Sequence, residues 1–317
     1  MKPPYTVTSN ILNLVSEISK KIGEINAKLL VRQSPELRKR NRIRTIQASL
    51  AVEGNTLSID QVTAIIDKKR VLGPEKDIVE VTNAIKVYEQ IRTYKPNHEK
   101  SFLAAHKSLM KDLIPSAGKY RISNVGIAKG SELSHLAPPA SNVPFLMKNL
   151  FSYLKQSEDL ALIKSAVAHY EIEFIHPFMD GNGRMGRLWQ TLILMQDYPV
   201  FEFLPFETLI SKNQKAYYKA LSGSDKKGES TLFIEFMLNM INASLDELMM
   251  ERVGPVTQSD RIRAYLSTGV SEFTRKMYMS YFKTISTATA SRDLQQAVKE
   301  KLLIKEGDKR NTVYRRY

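Results

Sequence analysis

The chain contains no cysteine among its 317 residues. Disulfides, thiolate metal sites and a cysteine nucleophile are therefore excluded, and a reducing cytosol is the expected home. No apolar run approaches the roughly 20 residues needed to cross a bilayer. The opening segment MKPPYTVTSN lacks the uninterrupted apolar core of a signal peptide. A soluble cytoplasmic protein with no membrane partner is expected. β-Rich runs are few, and no internal repeat or low-complexity tract interrupts the chain.

Positive charge is abundant. Lys and Arg number 47 against 33 Asp and Glu, a net charge of +14, which suits a polyanion such as nucleic acid or a nucleotide phosphate. The length suits one large domain with a smaller one, or two of moderate size. Apolar residues three and four apart predict a mainly α fold, with helices near 8–32, 35–53, 59–68, 76–94, 99–112, 143–156, 159–175, 183–197, 212–222 and 230–252. Two places break this pattern. NVGIAKGSELSHLA at 124–137, followed by Pro138 and Pro139, reads as a β-hairpin flap. VGPVTQS at 253–259, with Gly254 and Pro255, reads as a domain linker.

The richest stretch is HPFMDGNGRMGR at 176–187. Gly181, Gly183 and Gly186 let backbone approach a ligand, and a helix starting near Gly183 aims free N–H groups and its positive end at an anion. Arg184 and Arg187, three apart, project on one side of that helix and suit a polyphosphate. Asp180 is a hard oxygen ligand for a Mg²⁺ that bridges phosphate oxygens, and His176 takes a proton near neutral pH. Nucleotidyl transfer is the chemistry such a set supports.

The ordered set resembles the Fic (Fido) signature HPFx(D/E)GNGRxxR at every fixed position. The resemblance extends through GKYR at 118–121, the flap, APPASNVPFLM at 137–147 and YYKAL at 217–221, covering about residues 99–222. It implies transfer of AMP from ATP to a Ser, Thr or Tyr hydroxyl of a protein, on an all-helical domain. It further implies His176 as general base, Asp180 as the Mg²⁺ ligand and Asn182 as a donor to the α-phosphate, with backbone donors from Gly181 and Gly183. Arg184 then meets the β-phosphate region and Arg187 the γ-phosphate. Met185 and Gly186 complete the ATP-binding turn, and Tyr217 and Tyr218 lie along the nucleoside. Phe178, Leu188, Trp189 and Leu192 read as packing. His169 and Glu173 have the spacing of two zinc ligands but read as structural, because a catalytic zinc normally needs three. A target segment would pair with the strand edge of the flap, residues 124–137.

SLAVEGN at 49–55 resembles the inhibitory motif (S/T)xxxE(G/N) of the same family, in the arrangement where it lies N-terminal in the same chain. That implies a helix at about 35–55 whose Ser49 and Glu53 share a face, Glu53 pairing with Arg187 and misaligning ATP. Removal of AMP by the same glutamate, or movement of another phosphate-containing group, stays open.

Residues 258–317 hold thirteen Lys or Arg against six Asp or Glu, a surplus of seven that is half the net charge. Helices at about 259–267 and 274–283, a longer one in ISTATASRDLQQAVKEKLL and a two-stranded wing in LIKEGDKRNTVYRRY resemble a winged helix-turn-helix. Arg292, Gln295 and Gln296 would face DNA, with Lys309 and Arg310 on the backbone. The alternatives are protein docking, dimerisation, or a DNA-binding regulator that uses the nucleotide site as a sensor. The expected domains are an N-terminal helical region at 1–98, a core at 99–252, a linker at 253–259 and the small module at 260–317. A homodimer is left open.

Overall fold

Apolar stripes at helical spacing build most of the structure. The computed structural model describes residues 2–28, 35–129, 132–251, 258–266, 268–282, 285–308 and 312–317. The chain divides into two bodies, residues 1–22 with 38–248 and residues 249–317 with 23–37. Most linker positions expected at 253–259, the flap tip Gly130 and Ser131, and Lys309 and Arg310 lie outside the described residues. Among the described residues no helix is long and apolar enough to cross a membrane.

The larger body draws on α1 (Ser9–Lys28), α2 (Pro35–Ala51), α3 (Ile59–Ile66), α4 (Glu75–Glu89), α5 (Glu99–Leu109), α6 (Val143–Gln156), α7 (Ala161–Ile175), α8 (Asn182–Asp197), α9 (Glu207–Lys212), α10 (Gln214–Lys227) and α11 (Thr231–Glu251). α7 is apolar nearly all round, so it is buried on every side. Leu162, Val167 and Ile172 are fully buried, and α8 supplies Met185, Trp189 and Leu194 against it. Each such side chain contributes about 1.5–3 kcal/mol by leaving water. A row of them outweighs any single ion pair, so packing fixes where the α7–α8 loop stands. Between α5 and α6 the antiparallel strands β1 (Gly126–Lys129) and β2 (Glu132–Leu136) form the flap, with an irregularity after Ile127.

Three elements depart from the sequence-based expectation. α9 was not expected, because six residues after Pro205 are too few for a periodic signal. α10 runs to Lys227, past the expected end at 222. Gly223 lies inside the helix, with Leu232 Cδ1 close to its open side, and the left-handed cap is Gly228 at φ 66°. α4 ends at Glu89 and a separate 3-10 turn covers Ile91–Thr93.

The smaller body holds α12 (Gln258–Leu266), β3 (Glu272–Phe273), α13 (Arg275–Tyr281), α14 (Thr287–Lys299), β4 (Leu303–Glu306) and β5 (Val313–Arg316). Thr274 and Ser286 cap α13 and α14, each accepting from the N–H three residues on. The strands lie in the order β3-β5-β4, all antiparallel, with Phe273 opposite Tyr314. β3 was not expected, and it turns the hairpin into a three-stranded sheet. The core is aromatic, with Tyr265 packing edge-on against Phe273 and Tyr278 at centroid distances of 4.6 and 5.1 Å.

Candidate active site

The α7–α8 loop is shaped by two left-handed residues. His176 ends α7 at φ 50°, ψ 59°, and Gly181 precedes α8 at φ 87°. Asn182 braces the turn between them, its Oδ1 accepting from Phe178 N at 2.9 Å and its Nδ2 donating to Phe178 O at 3.0 Å. The expected phosphate donor is thus also the clamp of its own loop, with one N–H left over. His176 Nδ1 lies 3.4 Å from Glu173 O. Protonation at Nδ1 leaves Nε2 as the basic nitrogen.

Two residues outside the twelve-residue segment hold it in place. Arg121, 3% exposed, donates Nε to His176 O at 2.7 Å, and its other nitrogens reach the carbonyls of Ser123, Pro138 and Ile175. Both ends of the flap and the α7–α8 loop therefore share one guanidinium. His106 on α5 accepts from Gly118 N on Nδ1 and so donates Nε2 to Asp180 O at 3.0 Å, stacked on Phe178. Burial pushes its pKa down to about 4, which keeps the ring neutral. Neither role is legible in the sequence, although GKYR marks Arg121.

The glycines divide their work. A Cβ on Gly181 would lie 2.7 Å from Met110 Sδ, and one on Gly186 would lie 2.4 Å from His169 Cδ2. The missing side chains at those two positions make room for Met110 and His169. The open side of Gly183 faces the cradle, since its Cβ would lie 2.3 Å from Glu53 Oε1 and 3.1 Å from Arg187 Nη1. Met185 is fully buried, so only its backbone faces the turn.

Each arginine meets its own carboxylate. Arg187, fully buried, donates Nε to Ser49 Oγ at 3.0 Å, and Nη2 to Ser49 O and to Glu53 Oε1, both at 2.8 Å. The Glu53 carboxylate holds the guanidinium firmly protonated despite burial. Ser49 and Glu53 reach it because they lie one turn apart where α2 ends, and Gln214 Nε2 steadies that end through Val52 O at 2.7 Å. Arg184 donates Nη1 to Glu80 Oε1 and Nη2 to Asp180 Oδ1, both at 2.9 Å. Arg184 Nε and Arg187 Nη1 are buried with no acceptor among the described residues. In native proteins such orphaned donors point to an absent partner.

Asp180 is 45% exposed at its side chain and also accepts from Gly181 N. Mg²⁺ takes one or two carboxylates and completes its octahedron with phosphate oxygens and water, so a single half-exposed Asp180 fits it. No group of three metal-ligating side chains occurs among the described residues. His169 is fully buried, its Nδ1 lying 2.7 Å from Gln190 Oε1 and its Nε2 3.0 Å from the Tyr217 hydroxyl, which reaches Glu173 Oε1 at 2.8 Å. Tyr217 therefore belongs to the core, where its hydroxyl ties α7 to α10. Tyr218 is half-buried, with its hydroxyl 3.4 Å from Val52 O. Burial, with the Glu53 charge adding to it, pushes Glu173 up to about 7.

The larger body is thus helical, with a loop that carries His176 into a helix bearing two buried arginines. The Fic/DOC family model matches residues 96–194. A Fic family protein of Desulfovibrio desulfuricans is 40% identical, and its crystal structure superposes with a TM-score of 0.76 over 100% of this chain and 98% of that one. The chain belongs to the Fic family. The protein adenylyltransferase fic-1 of Caenorhabditis briggsae is 30% identical over 62% of this chain and 39% of its own length, and the Fic adenylyltransferase of Drosophila erecta is 26% identical. This chain spans about two fifths of the length of the curated relatives it matches.

Proposed function

We propose that the chain transfers AMP from ATP to a hydroxyl of a target protein and is held back at rest by Glu53. His176 Nε2 takes the proton of the target hydroxyl as its oxygen attacks the α-phosphorus, and the bond from that phosphorus to the bridging oxygen breaks to release pyrophosphate. Asn182 and the N–H groups at the start of α8 orient the α-phosphate, while Arg184 and Arg187 grip the phosphates beyond it. Asp180 would hold a Mg²⁺, which when bound offsets the charge of the phosphates. The flap would hold the target in extended form by main-chain hydrogen bonds. The single observation that carries this reading is the pair of buried, acceptor-less guanidinium donors at the start of α8, the helix that follows the loop carrying His176.

Glu53 blocks the Arg187 end of the cradle, so Glu53→Gly should raise labelling by α-labelled ATP, on the chain itself or in a lysate. His176→Ala added to that variant should abolish it. Intact mass after ATP treatment reports the donated group. Labelling that does not change with Glu53→Gly removes the brake assignment, and a mass gain other than one AMP removes the adenylyl donor.

A second reading concerns the smaller body, proposed as a winged helix-turn-helix that binds DNA. Its support is a groove lined by Arg275, Lys276 and Lys305 with the hydroxyls of Thr287 and Ser291, beside the exposed Arg292 and Gln295 of α14. Gln296 faces elsewhere and donates to Glu300 Oε1 at 2.8 Å. A mobility shift with duplex DNA that weakens steeply with salt supports it; no shift at low salt leaves protein docking.

A further inference from the structure

Arg184 is held by a carboxylate that no motif announces. Glu80, on the second turn of α4, is 6% exposed, and its two oxygens face different partners. Oε1 accepts from Arg184 Nη1 and Oε2 accepts from Asn55 Nδ2, each at 2.9 Å. Asn55 stands two residues beyond Glu53, and its Nδ2 also reaches Asp77 O at 3.2 Å. Thr56 donates its N–H and its hydroxyl to Asp77 Oδ2 at 2.8 and 2.6 Å. The segment carrying Glu53 is thereby anchored to α4, and α4 in turn grips Arg184. With Asp180 on Nη2, a single guanidinium is shared by two carboxylates. Lys76, whose side chain is 69% exposed, lies 4.0 Å from Glu80 and offsets little of that charge.

We propose that Glu80 is a second acidic stop, withholding Arg184 from the nucleotide as Glu53 withholds Arg187, and that Asn55 makes the two stops yield together. The inference rests on the reading of the cradle as an ATP site. A polyphosphate that approaches Arg184 meets a buried negative charge, and in such a poorly hydrated place the repulsion is strong and little screened by salt. The effect falls on the groups beyond the α-phosphate, because Arg184 rather than the loop backbone is Glu80's partner. AMP lacks those groups and is indifferent to it. Release is shared because moving Glu53 outward carries Asn55 with it, which removes the donor that orients the Glu80 carboxylate and lets it turn away from Arg184.

The test is calorimetric titration of the full chain carrying Glu53→Gly with AMP, ADP and ATP, with and without Glu80→Gln, which keeps the shape of the side chain and removes its charge. ADP and ATP should bind at least about fivefold more tightly to the double variant, as expected for a coupled pair of sites, with AMP unchanged. Equal or weaker ADP binding, or the same gain for AMP, overturns the proposal. Asn55→Ala is the second arm and decides the matter if Glu80→Gln fails to fold. It should raise ATP affinity while Glu53 is present and have no effect in Glu53→Gly. The same change in both backgrounds overturns the coupling. If Glu53→Gly binds no ATP, the reading of the cradle falls and Glu80's role with it; if it binds ATP and Glu80→Gln changes nothing, Glu80's role falls alone.

Discussion

Arg261 in the smaller body, partly buried, and Arg187 in the larger, fully buried, are each gripped by a carboxylate, and the grips differ in completeness. Arg261 meets fully buried Asp293 through Nε and Nη2 at 2.6 and 2.7 Å, and the Tyr278 hydroxyl donates to the same carboxylate at 3.1 Å. Arg187 offers Glu53 only Nη2, and Glu53 is 32% exposed at its side chain. The planar fork satisfied on both prongs is the strong form of this interaction. A single prong, with another donor left over, is easily exchanged for a different anion. On the function proposed above, completeness of pairing, more than distance, separates an ion pair that holds a body together from one that keeps a place for a ligand.

Four measurements test that distinction, and the largest effect belongs to the saturated pair. Asp293→Ala leaves Arg261 partly buried without its carboxylate and should destabilise the smaller body by about 3–5 kcal/mol, read by thermal unfolding. A loss under about 1 kcal/mol would erase the contrast. Glu53→Gly should cost less, because Ser49 still accepts from Arg187, and the variant should regain about 2.7 kcal/mol when ATP is supplied at a hundredfold over its Kd. Wild type should regain far less under the same conditions. Tyr217→Phe strips a hydroxyl from Glu173 and His169 and should cost about 1–2 kcal/mol in urea unfolding, with the ATP-dependent gain of Glu53→Gly retained.

The smallest effect is in pH. Glu207 is fully buried, its Oε1 accepts from the Thr191 hydroxyl, and burial pushes it up to about 7. A carboxyl raised in the folded state contributes stability that is fully present below its ordinary value near 4.5 and is lost as pH rises through 7. Arg187 opposes that rise, and Tyr88 is the other titratable neighbour. Between pH 5 and 6 wild type should therefore lose about 1 kcal/mol relative to Glu207→Gln. No difference in slope between the two would mean that Glu207 is charged in the folded protein.

Which parts of this were legible in the sequence follows from the range of each interaction. The helices of the larger body are written in local periodicity, and the cradle lies in twelve adjacent residues, so both could be read directly. The resemblance of SLAVEGN to the inhibitory motif also marked Glu53 as the partner of Arg187. Glu80 could not be found this way, because it sits 104 residues from Arg184 in an ordinary helix pattern. Tyr217 was misplaced along the nucleoside because an aromatic pair on a helix carries no sign of which ring faces inward. β3 is two residues long and exists only through its pairing with β5, a contact across some forty residues.

The backbone at His176 carries one more lesson, for anyone wishing to silence this protein. A residue with a side chain that sits at positive φ is uncommon, and asparagine, aspartate and histidine occupy that region several-fold more often than others. Alanine there would remove the imidazole and also favour a different bend, so that a dead variant confuses lost chemistry with a reshaped loop. Asparagine tolerates the bend while lacking a basic nitrogen, and is the cleaner inactive control.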